Sequence, residues 1–596
     1  LAAPALAAPR LLLTPDRAVE IRRLAAVAGS PHEAMLRQLR AQVDSPLEDD
    51  NRNYQRAYRA TSAAFLSQIT GEARYCSLAY QALRDVYRDT TPESLLPDQG
   101  YGLARATVGL GFAFAYDWCR DAWPAGATAW VESKLAAALA AWPAFRHANV
   151  EAPHKGSNWV SVCRGGELIA LIALRRETTD AARYRLLKND LRAHMRNFDE
   201  LGVSQEGVGY TGYGGIFLLR ALLALRSIGD LELEAEAARH AWWKQAMYSG
   251  SFAKDGGYSR WLMSGVSGDG IGDEGWASLL FAFTPAGEQP YFTWWYQRHH
   301  SRFDYRREGP VWAMLYYPAA VAPRDPTPVF PKAVSGAAGL TFFRNRWQDA
   351  GDILVSFHAD AQWHSHAWDQ PEALQWQLFA LNTLYAAGPV KTREPANFTT
   401  LLVDGRHVAE GRRGGTTGRL VSFAPTPEGG IAVADGGTQY ESLGVGVTRS
   451  FEVRFLDGNR AVIRVRDEIR SAAPHRYSWQ INLGDTAALA PTKDFRIGAL
   501  RGRVLAPAQY RVVAEDPFRI EVDAASTAIE VEMEVGGKQI ALPNGARMLF
   551  RYIPPGTYTR GSPESEAGRD KDESPAHTVT ISKGFHLGAF EVTQEQ

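Results

Sequence analysis

The sequence predicts a helical toroid or solenoid followed by an antiparallel β-sandwich, and three observations carry that expectation. From about Pro9 to Arg307, apolar residues recur at three- and four-residue spacing between short Gly, Pro or Asp breaks. Near Leu340 the period falls from that of a helix to that of a strand, and Gly and Pro then punctuate the chain at short intervals. The length of 596 residues gives room for two to four domains at roughly 150 residues each.

In the first part, amphipathic runs are expected at Glu20 to Ala28, Tyr54 to Ile69, Arg74 to Tyr87, Ala104 to Trp118, Thr128 to Ala141, Gly166 to Leu174, Ala181 to Phe198, Ile216 to Ser227 and Leu231 to Trp243. In the second of these, Tyr54, Tyr58, Phe65, Leu66 and Ile69 fall on one side. Antiparallel helix pairs on short loops suit a toroid of hairpins, and no fixed-period repeat marks a regular solenoid. In the second part, strands are expected at Asp352 to His358, Thr400 to Val403, Val447 to Phe455, Ala461 to Val465, Arg476 to Asn482 and Ile529 to Val535. After about Leu542 the composition changes again, with a polar, charged loop at Ser562 to Ser574 and a short strand at His577 to Ile581. The expected division is 1–10, 11–335, 336–541 and 542–596.

Composition narrows the function. Hydrophobic residues at 45% and charged residues at 22% describe a folding chain rather than a disordered one. A net charge of -1 argues against a protein built to neutralise a nucleic-acid backbone. The 17 Trp, 23 Tyr and 25 Phe supply flat faces of the kind that suit sugar rings. Three cysteines, Cys76, Cys119 and Cys163, are too few and too scattered for a disulfide framework or a Cys-based zinc module, so buried free thiols are expected. No run of about 18 apolar residues predicts a membrane span. LAAPALAAPR looks like the small-residue end of a secretory signal, which predicts a secreted or periplasmic protein.

Four clusters hold the candidate chemistry. WHSHAWD, Trp363 to Asp369, puts His364 and His366 two apart, so that in extended chain both imidazoles point one way. His358, Asp360 and Asp369 add titratable groups nearby. The second cluster starts at His154 and Lys155 and runs through SNWVSVCRGGE, where Asn158 could equally be the N-cap of a helix beginning near Trp159. The third is SQEGVGYTGYGG, Ser204 to Gly215, read as a short glycine-rich loop crowding Glu206, Tyr210 and Tyr213 before the next helix. The fourth, MSGVSGDGIGDE, is a glycine-rich acidic loop without phosphate-loop spacing, read as structural.

Taken in order, PRLLLTPDRAVEIRRL, then NW, then EGVGYTGYG, then FFRNRWQDAGDILVSFHADAQWHSHAWDQ, these motifs resemble the heparinase II/III-type polysaccharide lyases over about Pro9 to Val535. That resemblance implies an incomplete (α/α) toroid joined to an antiparallel β-sandwich, and β-elimination in a glycosaminoglycan or alginate-like polymer containing uronic acid. It implies that Asn158 hydrogen-bonds the uronate carboxyl and that Tyr213, or Tyr210 one turn earlier, acts as base and acid. A phenol with a reference pKa of about 10 needs cationic surroundings for that task. The resemblance makes His364 a catalytic partner and His366 a metal ligand. His154, Trp159, Glu206 and Arg260 are candidates for substrate binding.

Two departures stand out. Where the family brings an Asp and a later His to hold zinc, this chain has Ala386 in NTLYAAG and no histidine in ANFTTLLVDG, so a metal-poor or metal-free variant is expected unless Asp360 or Asp369 substitutes. The segment Arg547 to Gln596 resembles the opening of a formylglycine-generating (sulfatase-modifying factor) domain, which implies a partial α+β unit with no assigned activity. Two other readings remain at this point. A glycoside hydrolase would use a carboxylate pair drawn from Glu206, Asp269, Asp273 and Glu274, and a carbohydrate-binding protein would keep the cleft without the chemistry.

Overall fold

The computed structural model describes residues 9–46, 52–88, 96, 102–144, 146–252, 275–300, 305, 307–362, 370–389, 394–409, 417–457, 459–484, 488–489, 494–513, 515–522, 527–536, 538–541, 547–553, 556–562, 574–582 and 585–588. The helices are α1 (Pro15–Ala25), α2 (Pro31–Asp44), α3 (Arg52–Thr70), α4 (Ala73–Val86), α5 (Leu103–Cys119), α6 (Ala125–Ala141), α7 (Ala148–Glu151), α8 (Asn158–Ala173), α9 (Ala181–Met195), α10 (Gly207–Ser227), α11 (Glu234–Ala237), α12 (Trp242–Ser249), α13 (Trp276–Leu280), α14 (Gln289–His299) and α15 (Gly309–Tyr316). Local chemistry starts them cleanly. Pro15 and Pro31 occupy first-turn positions behind the caps Thr14 and Ser30; the Ser30 hydroxyl accepts from the Glu33 N–H, and the Glu33 carboxylate accepts from the Gly29 N–H.

Packing runs α2-α3-α5-α8-α10-α13-α15 and returns from α15 to α2, which is the toroid. Arg17 of α1 donates to the Leu315 and Met314 carbonyls, and the His32 imidazole meets the Met314 carbonyl, so the ring is joined there by hydrogen bonds as well as apolar contact. The ring helices α5, α8 and α10 are buried on every side, whereas α4, α6 and α9 show one apolar stripe. α10 is long and apolar enough to cross a membrane by length and composition, a helix that a search for unbroken apolar runs passes over; it is packed inside the toroid, with 89% of its most apolar stretch buried.

Two readings of the helical part change. Cys76 on α4 and Cys119 on α5 form a disulfide with Cα atoms 5.5 Å apart, because these helices lie side by side; Cys163 is buried and outside that disulfide. The segment expected as one helix from Leu231 to Trp243 is instead split into α11 and the start of α12.

The strands begin with a five-stranded antiparallel sheet in chain order: β1 (Ala333–Ser335), β2 (Leu340–Arg344), β3 (Ile353–His358), β4 (Gln375–Ala380) and β5 (Thr383–Ala386). Then come β6 (Leu401–Val403), β7 (Arg419–Thr426), β8 (Gly429–Asp435), β9 (Val445–Leu456), β10 (Arg460–Ser471), β11 (Tyr477–Ile481), β12 (Ala488–Leu489), β13 (Asp494–Ile497), β14 (Leu500–Ala506), β15 (Arg511–Val513), β16 (Phe518–Val522) and β17 (Ala528–Gly536). They form an eight-stranded sheet, β12-β13-β14-β17-β10-β9-β8-β7, and a four-stranded one, β15-β16-β11-β6. Short strands continue from Lys538 to Gly588.

β9 and β10 alternate buried and open as expected, and their outer face carries cross-strand pairs such as Arg464 with Glu532 and Arg466 with Glu530. β2, β3 and β4 do not alternate; every residue in them is buried, because that sheet lies between the toroid and the rest of the sandwich. Phe342 of β2 joins the toroid core, while Phe343 joins the sandwich core with Phe357, Phe451 and Trp376. The fully buried Arg344 guanidinium donates to the Met247 and Gly250 carbonyls at the end of α12 and pairs with Asp352.

Candidate functional site

α8 and α10 cross where both begin, and glycine permits it. A Cβ at Gly214 would stand 3.0 Å from the Asn158 Cβ, and one at Gly165 would stand 3.0 Å from the Phe217 carbonyl oxygen. Ser157 is the N-cap of α8, its hydroxyl accepting from the Trp159 N–H; Asn158 is the first helical residue and not the cap. The stretch Gly207 to Gly215 is likewise not a loop. α10 begins at Gly207, so Tyr210 and Tyr213 sit three apart on one helical face rather than ahead of a helix starting at Gly214. The glycines serve close approach, since Cβ atoms at Gly214 and Gly215 would press on Asn158 and on the Trp276 ring.

Glu206 ties the two helices. Its buried carboxylate accepts from the Asn158 backbone N–H at 2.6 Å, from Asn158 Nδ2 at 2.9 Å and lies 3.3 Å from the Ser157 hydroxyl. A carboxylate suits a helix N-terminus, where N–H groups lack partners. It also fixes the amide, because a flipped Asn158 would turn Oδ1 toward a negative oxygen. Nδ2 keeps a second N–H, and Asn158 Oδ1 has no hydrogen-bond partner. Glu206 is 2% exposed, and its carboxylate is engaged with Asn158 and Ser157. Burial first, and then the charge of Glu206, push the Tyr210 phenol above its ordinary value.

Exposure singles out one face of the crossing. From Gly207 to Leu225 every residue of α10 is buried except Tyr210 and Tyr213, and along α8 every residue is buried except Trp159. Trp159 stacks on His147, their ring centroids 3.9 Å apart and 5° from parallel; nothing in the sequence signals that pairing across twelve residues. The approach to Asn158 is held from α9: His194 meets the Lys155 carbonyl, Asn197 donates to the His154 carbonyl, and the Lys155 ammonium donates to the Val150 carbonyl beside Asp190. Lys155 is therefore spent on the scaffold.

The histidine motif, with His364 and His366, lies outside the described residues, as do Arg260 and the candidate carboxylates Asp269, Asp273, Glu274 and Asp369. Its flanks are described. The motif sits on the connection from β3 to β4, and His358 at the end of β3 meets Glu372 at 2.9 Å, both buried. Backbone pairing joins Ala361 to Ala338, and the Ala338 N–H donates to Asp199, whose other oxygen accepts from Leu201 and Val203. That chain of bonds links the root of the histidine connection to the segment ending in Glu206. Burial raises the Asp199 carboxyl to about 6 against these backbone donors.

No family model matches the chain, and no curated protein matches it. Among solved structures, heparinase III covers 92% of this chain and 84% of its own at a TM-score of 0.53 and 10% identity. A second heparinase III, with methylated lysines, covers 90% and 83% at a TM-score of 0.50 and 11% identity. Heparan sulfate lyase HepC from Pedobacter heparinus covers 92% and 84% at a TM-score of 0.49 and 12% identity. The fold is that of heparinase III.

On this heparinase III fold the metal question turns on donors. Among the described residues no three His, Cys, Asp or Glu side chains come together as a ligand group. Ala386 is buried in β5 with no atom to offer, and Asp360 sits at a left-handed turn beside the β3 end. The described residues do not fit a zinc site, and no step is derived through one.

The heparinase III fold also encloses a cavity of about 190 Å³ inside the ring, reached by α3, α5 and α10. Tyr213 lines it, together with Tyr54, Tyr58, Arg220, Arg307 and Glu308. Tyr54 and Tyr58, expected to join one side of a helix, are half-buried and stack with centroids 6.3 Å apart.

Proposed function

We propose that the chain is an exported polysaccharide lyase that cleaves a uronic-acid-containing acidic polysaccharide, a glycosaminoglycan or an alginate-like polymer, by β-elimination. The observation that carries the reading is the close approach of Asn158 to α10 at Gly214, the residue after Tyr213, in a fold shared with heparinase III. A proton α to a carboxylate becomes acidic only when the developing charge is stabilised. The second Nδ2 hydrogen of Asn158, aimed by Glu206, donates to the uronate carboxyl. The base takes the C5 proton, the electron pair forms the C4–C5 double bond, the C4–O bond breaks, and the leaving oxygen receives a proton.

Tyr213 is the better base and acid. Burial first, and then the Glu206 charge, raise the Tyr210 phenol above its ordinary value, which disfavours it as a base. His364, on the β3–β4 connection, is assigned as the partner that steadies the carboxyl, and Trp159 as an apolar platform for a sugar ring. His154 and Arg260 are assigned to anionic substrate. The Cys76–Cys119 disulfide supports export, since such bonds persist in oxidising compartments. No activity is proposed for Arg547 to Gln596.

Incubation with heparan sulfate, hyaluronan, chondroitin sulfate, alginate and ulvan tests the reading. Elimination leaves a conjugated double bond, so ultraviolet absorbance is expected to rise on at least one glycan. New reducing ends without absorbance would assign a hydrolase instead.

A further inference from the structure

Asp199 and Glu200 lie in the connection between α9 and α10, and both reach from the toroid to the sandwich. Asp199 is 5% exposed. Its Oδ1 accepts from the Leu201 and Val203 N–H groups, each at 2.9 Å, and its Oδ2 accepts from the Ala338 N–H at 3.2 Å. Glu200 Oε2 accepts from the neighbouring Ala337 N–H at 3.3 Å. Two consecutive carboxylates of the helical half thus grip two consecutive N–H groups in the turn between β1 and β2. That turn wraps Asp199 closely, since a Cβ at Gly336 would collide with Asp199 Oδ2.

The backbone of the connection is anchored on the toroid itself. His240 Nδ1 meets the Asp199 carbonyl at 2.8 Å, and the Ala241 N–H donates to the Glu200 carbonyl at 2.8 Å. The Asp199 N–H donates to the Val203 carbonyl, and the Gly202 N–H returns to the Asp199 carbonyl, so the loop closes on itself. From Val203 the chain runs through Ser204, whose carbonyl accepts from the Gly207 N–H, to Glu206 and the start of α10. The carboxylate that holds Asn158 therefore hangs from a loop shaped by Asp199 Oδ1 and tied to the sandwich by Asp199 Oδ2. A buried carboxylate is tolerated only while its N–H donors stay in place, so these bonds hold the loop and the turn in register.

We propose that Asp199 is a positioning residue: by joining the β1–β2 turn to the loop ahead of α10, it fixes Glu206 and, through Glu206, the Asn158 amide. The effect on turnover rests on the lyase reading, whereas the effect on Asn158 does not.

Two variants open the contact from opposite sides. Asp199→Asn keeps an oxygen for Leu201 and Val203 but turns an amide donor toward the Ala338 N–H. Gly336→Ala presses a methyl group on the same carboxylate from the sandwich, and carries the test alone should Asp199→Asn not fold. The Asn158 N–H is donated to Glu206, so its hydrogen exchange, followed by mass spectrometry, reports where Glu206 stands. Exchange there is expected to be about fivefold faster in each variant, with α4 exchanging as in the wild type. A wild-type rate at Asn158 overturns the proposal.

On whichever glycan the wild type cleaves, Asp199→Asn is expected to lower kcat about tenfold with KM within about threefold. In a Glu206→Gln background it is expected to lower kcat no further, because the two residues act through one route. An unchanged kcat in the single variant overturns the proposal, as does an undiminished loss in the Glu206→Gln background. A wild-type protein that cleaves no glycan, with faster Asn158 exchange in both variants, defeats the lyase reading and leaves the positioning role standing.

Discussion

Asn158 and Glu206 lie 48 residues apart in sequence yet share a carboxylate oxygen at 2.6 and 2.9 Å. Their separation explains what the sequence could and could not disclose. Asn158, Trp159 and the tyrosines are legible as a motif, but that Glu206 aims the amide is a fact of the helix crossing. Tyr213→Phe is expected to lower kcat by about 10²–10⁴-fold while oligosaccharide affinity, measured by calorimetry, stays within about threefold. If Tyr210→Phe gives that loss instead, the base is the other phenol. Glu206→Gln removes a negative charge near Tyr210, so ultraviolet titration should find that phenol ionising at lower pH than in the wild type, with kcat reduced more than KM is altered. An unmoved Tyr210 titration would show that Glu206 does not govern it.

At the scale of elements, the buried α5 and β3 were legible, whereas the striped α2 was not. α3, α4, α6 and α9 show a stripe and were expected close to where they lie, as was α5, and α8 starts within a residue of the helix expected near Trp159, whereas α10 starts nine residues before the run at Ile216. In α10 the glycines of the first turns look like loop punctuation although they serve packing. β4, whose residues are all buried, was not among the expected strands, although β3, equally buried, was. Gly215→Ala would put a methyl 2.3 Å from the Trp276 ring and is expected to cost about 1–3 kcal/mol in urea unfolding.

The connection between α9 and α10 has its own pH signature. Asp199 has a folded value of about 6 against 3.8, so folding favours its protonated form. That contribution is fully present below about pH 3.8 and is lost as pH rises through about 6, a span on the order of 3 kcal/mol. The stability gap between wild type and Asp199→Ala, followed by urea unfolding, should therefore narrow from about pH 4 to about pH 7. A constant gap would mean that Asp199 ionises as it does in water.

Over the whole molecule, the division into helices and then strands was legible because the hydrophobic period changes once and for good near Leu340. The disulfide was not, because pairing depends on which helices become neighbours and three cysteines allow several outcomes. It closes a 43-residue separation, so Cys119→Ser is expected to lower unfolding free energy by about 4 kcal/mol, and reductant should have no further effect on that variant.

Strand β2 belongs to two cores at once, Phe342 to one and Phe343 to the other. During synthesis the ring of helices therefore cannot finish excluding water until residues 340–347 have emerged, because Leu340, Phe342 and Trp347 complete its apolar interior. Folding of the first three hundred residues waits on a handful that follow, and a ribosome stalled just short of them would hold a sticky, unfinished ring. In the mature chain the same sharing fastens the helical half to the strand half through adjacent residues of one strand.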